Sequence, residues 1–199
     1  MRIHAMSLPI ITIARQFGSG GRIVGEKVST LLNIPLYDRK LVEFTAEKSG
    51  FCAAVVEQMS QKKPASLLYA LSGASIEFPL QDQVYFAQAK VIREIGEQGA
   101  SVIVGRCADS ILEEKRLLRV FLYASDEARI KRTKEEYKIE AKNYADFIRK
   151  KDKKRKGYYD YFTHRSWGKS ENYDLCINTD IGLDLVADII ARTAREMEF

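Results

Sequence analysis

The chain of 199 residues has only three cysteines, Cys52, Cys107 and Cys176, widely spaced and without a CxxC pair. That number and spacing exclude a disulfide scaffold, and with His4 and His164 as the only imidazoles a structural zinc site lacks a ligand set. Long hydrophobic runs are also missing. No segment approaches the ~20 apolar residues of a membrane span, and residues 1–13 lack the extended apolar core of a secretion signal. The expectation is a chain with no leader and no transmembrane helix, at work in a reducing cytoplasm and away from membranes. No repeat, low-complexity tract or interdomain linker is evident.

Hydrophobic residues make up 46% and charged residues 30%, which excludes disorder, collagen-like and coiled-coil architectures. The length suits a single domain, residues 1–199, that buries its core without staples. A net charge of +5 implies an anionic partner, without choosing among nucleotide, nucleic acid and lipid head group. Lysine and arginine gather between residues 129 and 156 and are sparse over residues 50–88, so the positive field is local.

Residues 8–14 form a β-branched apolar run that stops at glycines, as a strand buried on both faces of a parallel sheet does. Ile23, Val24, Val28, Leu31 and Leu32 follow at near-helical spacing, predicting a helix over 22–33. Further strands are expected at 34–38, 101–104, 119–123 and 173–178. Helices are expected at 39–48, 81–98, 127–137 with Ser125 and Asp126 as caps, 142–156, and 183–197. Tyr158, Tyr159, Tyr161, Phe162 and Trp167 are expected in a loop. Strands alternating with helices predict a three-layer α/β sandwich of about five parallel strands.

The segment Arg15-Gln-Phe-Gly18-Ser19-Gly20-Gly21-Arg22 lies between a buried strand and a helix start. Glycines let backbone amides turn into one concavity, and the helix N-terminus adds roughly half a positive charge, so a phosphate belongs there. The bland alternative is a tight strand-to-helix turn. The loop departs from GxxxxGK[ST]: Arg15 stands at the first glycine, Gly21 at the lysine and Arg22 at the magnesium-binding Ser/Thr. Either Arg15 or Arg22 would supply the missing cation, since a guanidinium binds phosphate oxygens as a fork.

This loop, together with Leu36-Tyr-Asp-Arg39, Val102-Ile-Val-Gly-Arg-Cys-Ala-Asp109, Val120-Phe-Leu-Tyr-Ala124 with Arg129 and Arg132, and Tyr173-Asp-Leu-Cys-Ile-Asn-Thr179, resembles the cytidylate kinase-like family over nearly the whole chain. The resemblance implies a P-loop kinase fold with a helical monophosphate-binding insertion near residues 41–80 and a basic lid near 131–168. It also implies ATP with Mg²⁺ held mainly through the nucleotide phosphates, and CMP or dCMP as acceptor. Small-molecule nucleotides are then the partners.

In that reading Gly18, Ser19, Gly20, Gly21 and Arg22 bind the donor phosphates. Arg15, Arg22, Arg106, Arg129 and Arg132 neutralise the transferring group, and Asp38, Arg39, Arg106, Asp109, Asp152 and Arg155 serve the acceptor. No residue is assigned to a protein-held metal. Cytidylate kinases flank their Gly-Arg pair with aspartates, whereas here Val104 and Cys107 do so, leaving Asp109 as the nearest carboxylate. Asp38 reads equally as a helix cap, and Arg129 and Arg132 as a solvated helix face. Two other functions remain open: a nucleotide- or anion-binding regulatory protein without turnover, and, ranked last, a nucleic-acid-binding module using the basic helix and aromatics.

Overall fold

The computed structural model describes residues 8–60 and 78–197. The first strand, β1 (Ile10–Arg15), is buried along nearly its whole length, as its apolar run requires. It leads through the glycines into α1 (Gly21–Leu32), then β2 (Leu36–Tyr37), α2 (Arg39–Ser49) and α3 (Ala53–Met59). Beyond residues 61–77, which lie outside the described residues, come α4 (Leu80–Glu97), β3 (Val102–Val104), the short α5 (Ala108–Ile111) and β4 (Leu117–Tyr123). The chain ends with α6 (Asp126–Glu135), α7 (Tyr144–Thr163), β5 (Leu175–Asn178) and α8 (Leu183–Glu196).

The five strands are all parallel, in the order β2-β3-β1-β4-β5. Alternate residues of β1 point to opposite faces. Ile11 and Ile13 pack with Val24, Val28, Val186 and Ile190 of α1 and α8. Ile10 packs on the other face with Leu41, Val91, Ile92 and Ile95 of α2 and α4. The result is the three-layer αβα sandwich expected from the sequence. Because β1 lies between β3 and β4, the connections leaving β1 and β3 diverge above the sheet, and a crevice opens at the strands' carboxyl ends, where open α/β sheets bind ligands.

Most predicted elements lie within a few residues of their observed bounds. Ser125 caps α6 as expected, its hydroxyl accepting from the Ala128 amide at 3.2 Å. One element needs correction: the basic helix does not stop at residue 156 but runs to Thr163, so Tyr158, Tyr159, Tyr161 and Phe162 are helical rather than in a loop. Aromatic residues are indifferent helix formers, and tertiary packing decides. Phe162 stacks on Tyr85 of α4 with ring centroids 4.0 Å apart, while Tyr158 and Tyr159 are buried with Cys107. The four-residue α5 has no counterpart in the sequence reading. Of the segment 41–80, the described part is the bulk of α2, all of α3 and the first residue of α4; Pro64 and Gly73 fall outside the described residues. Among the described residues no helix is long and apolar enough to cross a membrane.

Ile11 is fully buried in the central strand. Ile11→Ala should therefore lower unfolding stability by about 2–5 kcal/mol, read from a urea midpoint shift at unchanged m-value.

Candidate active site

The loop after β1 turns through Gly18 and Gly20, both with φ near +80°, a conformation that glycine adopts without strain. Its carbonyls and amides are sorted to opposite sides. Arg155 Nη1 donates to the Arg15 carbonyl at 2.9 Å, Arg129 Nε to the Phe17 carbonyl at 2.7 Å, and Arg132 Nη1 to the Gly18 carbonyl at 2.6 Å. The Phe17 amide donates to Asp152 Oδ1 at 2.7 Å, and Asp152 Oδ2 pairs with Arg129 Nη2. Thus one ion pair, a buried arginine with a half-buried aspartate, grips both polar groups of a single residue. The Phe17 ring is lodged edge-on against Tyr137 and Phe147, with Arg155 Cζ 5.3 Å from its centroid.

With the carbonyls drawn to arginines, the amides of Gly21, Arg22 and Ile23 in the first turn of α1 make no hydrogen bond among the described residues. They form the positive pole of that helix. The Gly20 amide faces the Tyr137 hydroxyl. Ser19 is turned inward, its hydroxyl donating to the Gln16 carbonyl at 2.9 Å, and is fully buried, so it shapes the loop rather than facing a ligand.

The loop borders a cleft of about 1020 Å³, the size of a nucleotide-bearing site. Arg15, Arg22, Arg39, Arg106, Lys151, Lys154 and Arg155 line it, against Asp38, Glu43, Glu57, Asp109 and Glu136. Arg15 and Arg22 are not equivalent. Arg22 is exposed and held by Glu26 at 3.0 Å and, more loosely, by Asp38 at 3.8 Å. Arg15 lies inside, its stem against Gly21 and its guanidinium against Gly105. A methyl on Gly21 would come 2.8 Å from Arg15 Cγ, and one on Gly105 would overlap Arg15 Nη1. Burial and the nearby Arg106 charge push the Arg15 pKa down, partly offset by Asp38. Burial and Arg15 push Arg155 down to about 9.

Gly105, Arg106 and Cys107 are three successive residues at positive φ (78°, 61° and 56°), a conformation costly for the two non-glycines and of the kind that clusters at functional sites. It throws the Arg106 side chain into the cleft, where Nη2 pairs with Glu57 of α3 at 2.6 Å and the buried Nη1 has no hydrogen-bond partner among the described residues. Cys107 is buried, and burial pushes its thiol well up, so it is no nucleophile. Asp109 is buried in α5 and accepts from the Tyr159 hydroxyl at 2.6 Å; burial raises its pKa. Asp38 precedes α2 but makes no side-chain cap bond, and its carboxylate faces the cleft.

Of the residues singled out from sequence, Gly18, Gly21, Arg15, Arg22, Asp38, Arg39, Arg106, Asp109 and Arg155 line the cleft. Arg129, Arg132 and Asp152 stand behind the loop and hold it. Sequence reasoning missed Glu57, Tyr137, Lys151 and Lys154. The two lysines were legible in part, since residues 151, 154, 155 and 158 recur at helical spacing and share the cleft face.

Magnesium would be the metal of a phosphate loop of this shape. The protein offers it no hydroxyl at the usual metal-binding position, because that position is Arg22, whose charge repels a cation, and the Ser19 hydroxyl is turned inward onto the Gln16 carbonyl. Among the described residues no cluster of three acidic, histidine or cysteine side chains exists to hold a metal.

A parallel β2-β3-β1-β4-β5 sheet with a glycine loop between β1 and α1 and a basic cleft at the strand ends defines a P-loop kinase fold. Solved structures agree. A shikimate kinase from Acinetobacter baumannii in complex with shikimate superposes with a TM-score of 0.54 at 18% identity, covering 96% of each chain. A gluconokinase from Sinorhizobium meliloti superposes with a TM-score of 0.53 at 14% identity, covering 94% of this chain and 89% of its own. An uncharacterized protein from Eubacterium ventriosum is more similar, with a TM-score of 0.73 at 27% identity, covering 94% of this chain and 99% of its own. No curated protein matches the chain. The family model of the cytidylate kinase-like family matches residues 10–181, and the chain belongs to that family.

Arg129→Ala would leave the half-buried Asp152 carboxylate with only the Phe17 amide and free the Phe17 carbonyl, a loss of about 1.5–3 kcal/mol measurable by chemical denaturation. Asp109 gives a pH signature. Its raised pKa means the folded chain holds a proton that the unfolded chain releases, so stability falls as pH rises from the ordinary carboxylate value through the raised one. Asp109→Asn should flatten that part of the stability–pH curve, as followed by thermal melts across the acid range.

Proposed function

We propose that this chain transfers a phosphoryl group from ATP to a nucleoside monophosphate, with CMP or dCMP as the first acceptors to try. The observation that carries this reading is the Arg106 guanidinium, thrust into the cleft opposite the glycine loop by strained backbone, one edge on Glu57 and the other without a partner among the described residues. An acceptor phosphate suits that edge as a forked ligand. Family membership supports the donor side and the reaction type.

Phosphoryl transfer asks little covalent chemistry of a protein; it asks for positioning and for neutralisation of charge on the equatorial oxygens. The amides of Gly21, Arg22 and Ile23 receive the donor phosphates, and Arg106 orients the acceptor. Arg39 at the rim, with Asp38 beside Arg22, borders the acceptor side, and Lys151, Lys154 and Arg155 supply positive charge along α7. Arg129 and Arg132 act indirectly, by holding the carbonyls of Phe17 and Gly18 away from the phosphates. Mg²⁺ would arrive on the nucleotide's own phosphates. In this reading α2 and α3 are the acceptor wall and residues 131–168 the opposite, basic wall of one domain working on small nucleotides in the cytoplasm.

The alternative of nucleotide binding without turnover draws on one observation, the replacement of the loop lysine and Ser/Thr by Gly21 and Arg22. A coupled ADP-release assay over CMP, dCMP, UMP, AMP and dephospho-coenzyme A, with shikimate and gluconate as hydroxyl acceptors, separates the two when ATP affinity is measured alongside. Turnover is expected with a pyrimidine monophosphate, and Arg106→Ala should lower kcat/KM for it by about 10²-fold or more. Tight ATP binding with no turnover on any acceptor would favour the regulatory reading.

A further inference from the structure

Three guanidiniums meet in the cleft with one ion pair, Arg106–Glu57, among them in the described residues. Arg15 has no hydrogen-bond acceptor for its guanidinium and no carboxylate within ion-pair distance among the described residues. Arg155 spends one nitrogen on the Arg15 carbonyl and is in no ion pair. Arg106 has one nitrogen on Glu57 and one without a partner among the described residues. Burial and the Arg106 charge disfavour the charge on Arg15, and burial, Arg15 and Arg106 disfavour that on Arg155. Clustered, partly desolvated like charges of this kind are costly unless an anion joins them.

Gly21 explains how Arg15 comes to be there. Where a phosphate loop ordinarily carries lysine, this chain has no side chain at all, and the vacated volume is filled by the Arg15 stem, 2.8 Å from where a Cβ would stand. Gly105 is bare for the same reason at the guanidinium end. Two glycines therefore frame one arginine and aim it across the mouth of the loop. Arg22, the other candidate, is exposed and occupied by Glu26 and Asp38.

Resting on the kinase reading for its substrate class but not for its test, we propose that Arg15 replaces the loop lysine. With Arg106 and Arg155, it makes a seat for the terminal phosphates of a polyphosphate ligand that needs no divalent metal to bind. The replacement of Ser/Thr by Arg22 fits the same logic, for it leaves no hydroxyl at that position to hold a metal.

The test is calorimetric titration of the full chain with inorganic tripolyphosphate, in excess EDTA and in Mg²⁺. Binding in EDTA should be at least as tight as in Mg²⁺. Arg15→Ala should weaken it by about tenfold or more, whereas Arg22→Ala should change it by less than about threefold. The decisive variant is Arg15→Gly combined with Gly21→Lys: the Arg15 Cγ and Cβ would stand 2.8 and 2.9 Å from the new Cβ, so glycine at 15 opens the volume a lysine needs, and affinity should recover from that of Arg15→Gly alone toward that of the parent. A fold defect in Arg15→Gly would not produce that rescue. Loss of tripolyphosphate binding in EDTA, or an Arg15→Ala chain that binds as the parent does, would overturn the inference. If the seat binds tripolyphosphate through Arg15 while no acceptor turns over, the seat stands and the kinase reading falls; the reverse pattern sinks only the seat.

Discussion

The grip of Arg129 and Asp152 on Phe17 is the interaction on which the rest of the site depends. A peptide loop can present its amides to an anion only if its carbonyls are satisfied elsewhere, because each carbonyl is an obligatory acceptor and carries negative charge of its own. Here three arginines from α6 and α7 take the carbonyls of Arg15, Phe17 and Gly18, and the half-buried Asp152 carboxylate takes the Phe17 amide. The first turn of α1 is left as the positive face. The chain's positive charge is thus divided between Arg129 and Arg132, which build the loop, and Arg15 and Arg106, which look into the cleft, with Arg155 doing both. An exposed ion pair would contribute too little to hold such a geometry, whereas a buried one costs several kcal/mol to break.

The fold was legible in the sequence because its signals are local: a β-branched run at β1, glycines at the turn, helical spacing in α1, α4 and α8. Packing between distant elements was not. The end of α7 departs from the loop expected because its aromatic residues are held by partners far away in the chain, Tyr85, Cys107 and Asp109 among them. The site was legible to the level of residue types. Arg15, Arg106 and Arg155 stood out, yet sequence offered no means to tell an arginine facing the cleft from one facing the back of the loop. That distinction depends on which carbonyl lies within reach, which becomes visible in Arg129 and Arg132 only once α6 is placed against the glycine turn. Glu57 carried no signal at all, because its partnership with Arg106 spans the gap between α3 and the turn after β3.

The cleft joins two kinds of preorganisation. On the sheet side, Gly105, Arg106 and Cys107 store backbone strain that fixes the direction of one guanidinium. On the loop side, Gly21 and Gly105 fix another by leaving it room. Both spend stability on placing positive charge before any ligand arrives, the arrangement expected where a site must stabilise charge without reorganising.

The tether between α7 and the loop has a mechanical consequence. Asp152 and Arg155 are bonded to the backbone of Phe17 and Arg15, so the middle of α7 travels with the central strand as one rigid shore. The far shore, α3, meets the cleft through Glu57 on Arg106, and a carboxylate is a ligand that a phosphate can displace. Arrival of an anion at Arg106 would thus free the charged rim of that bank while Val56, packed against Val42 and Val84, keeps its apolar seam in place.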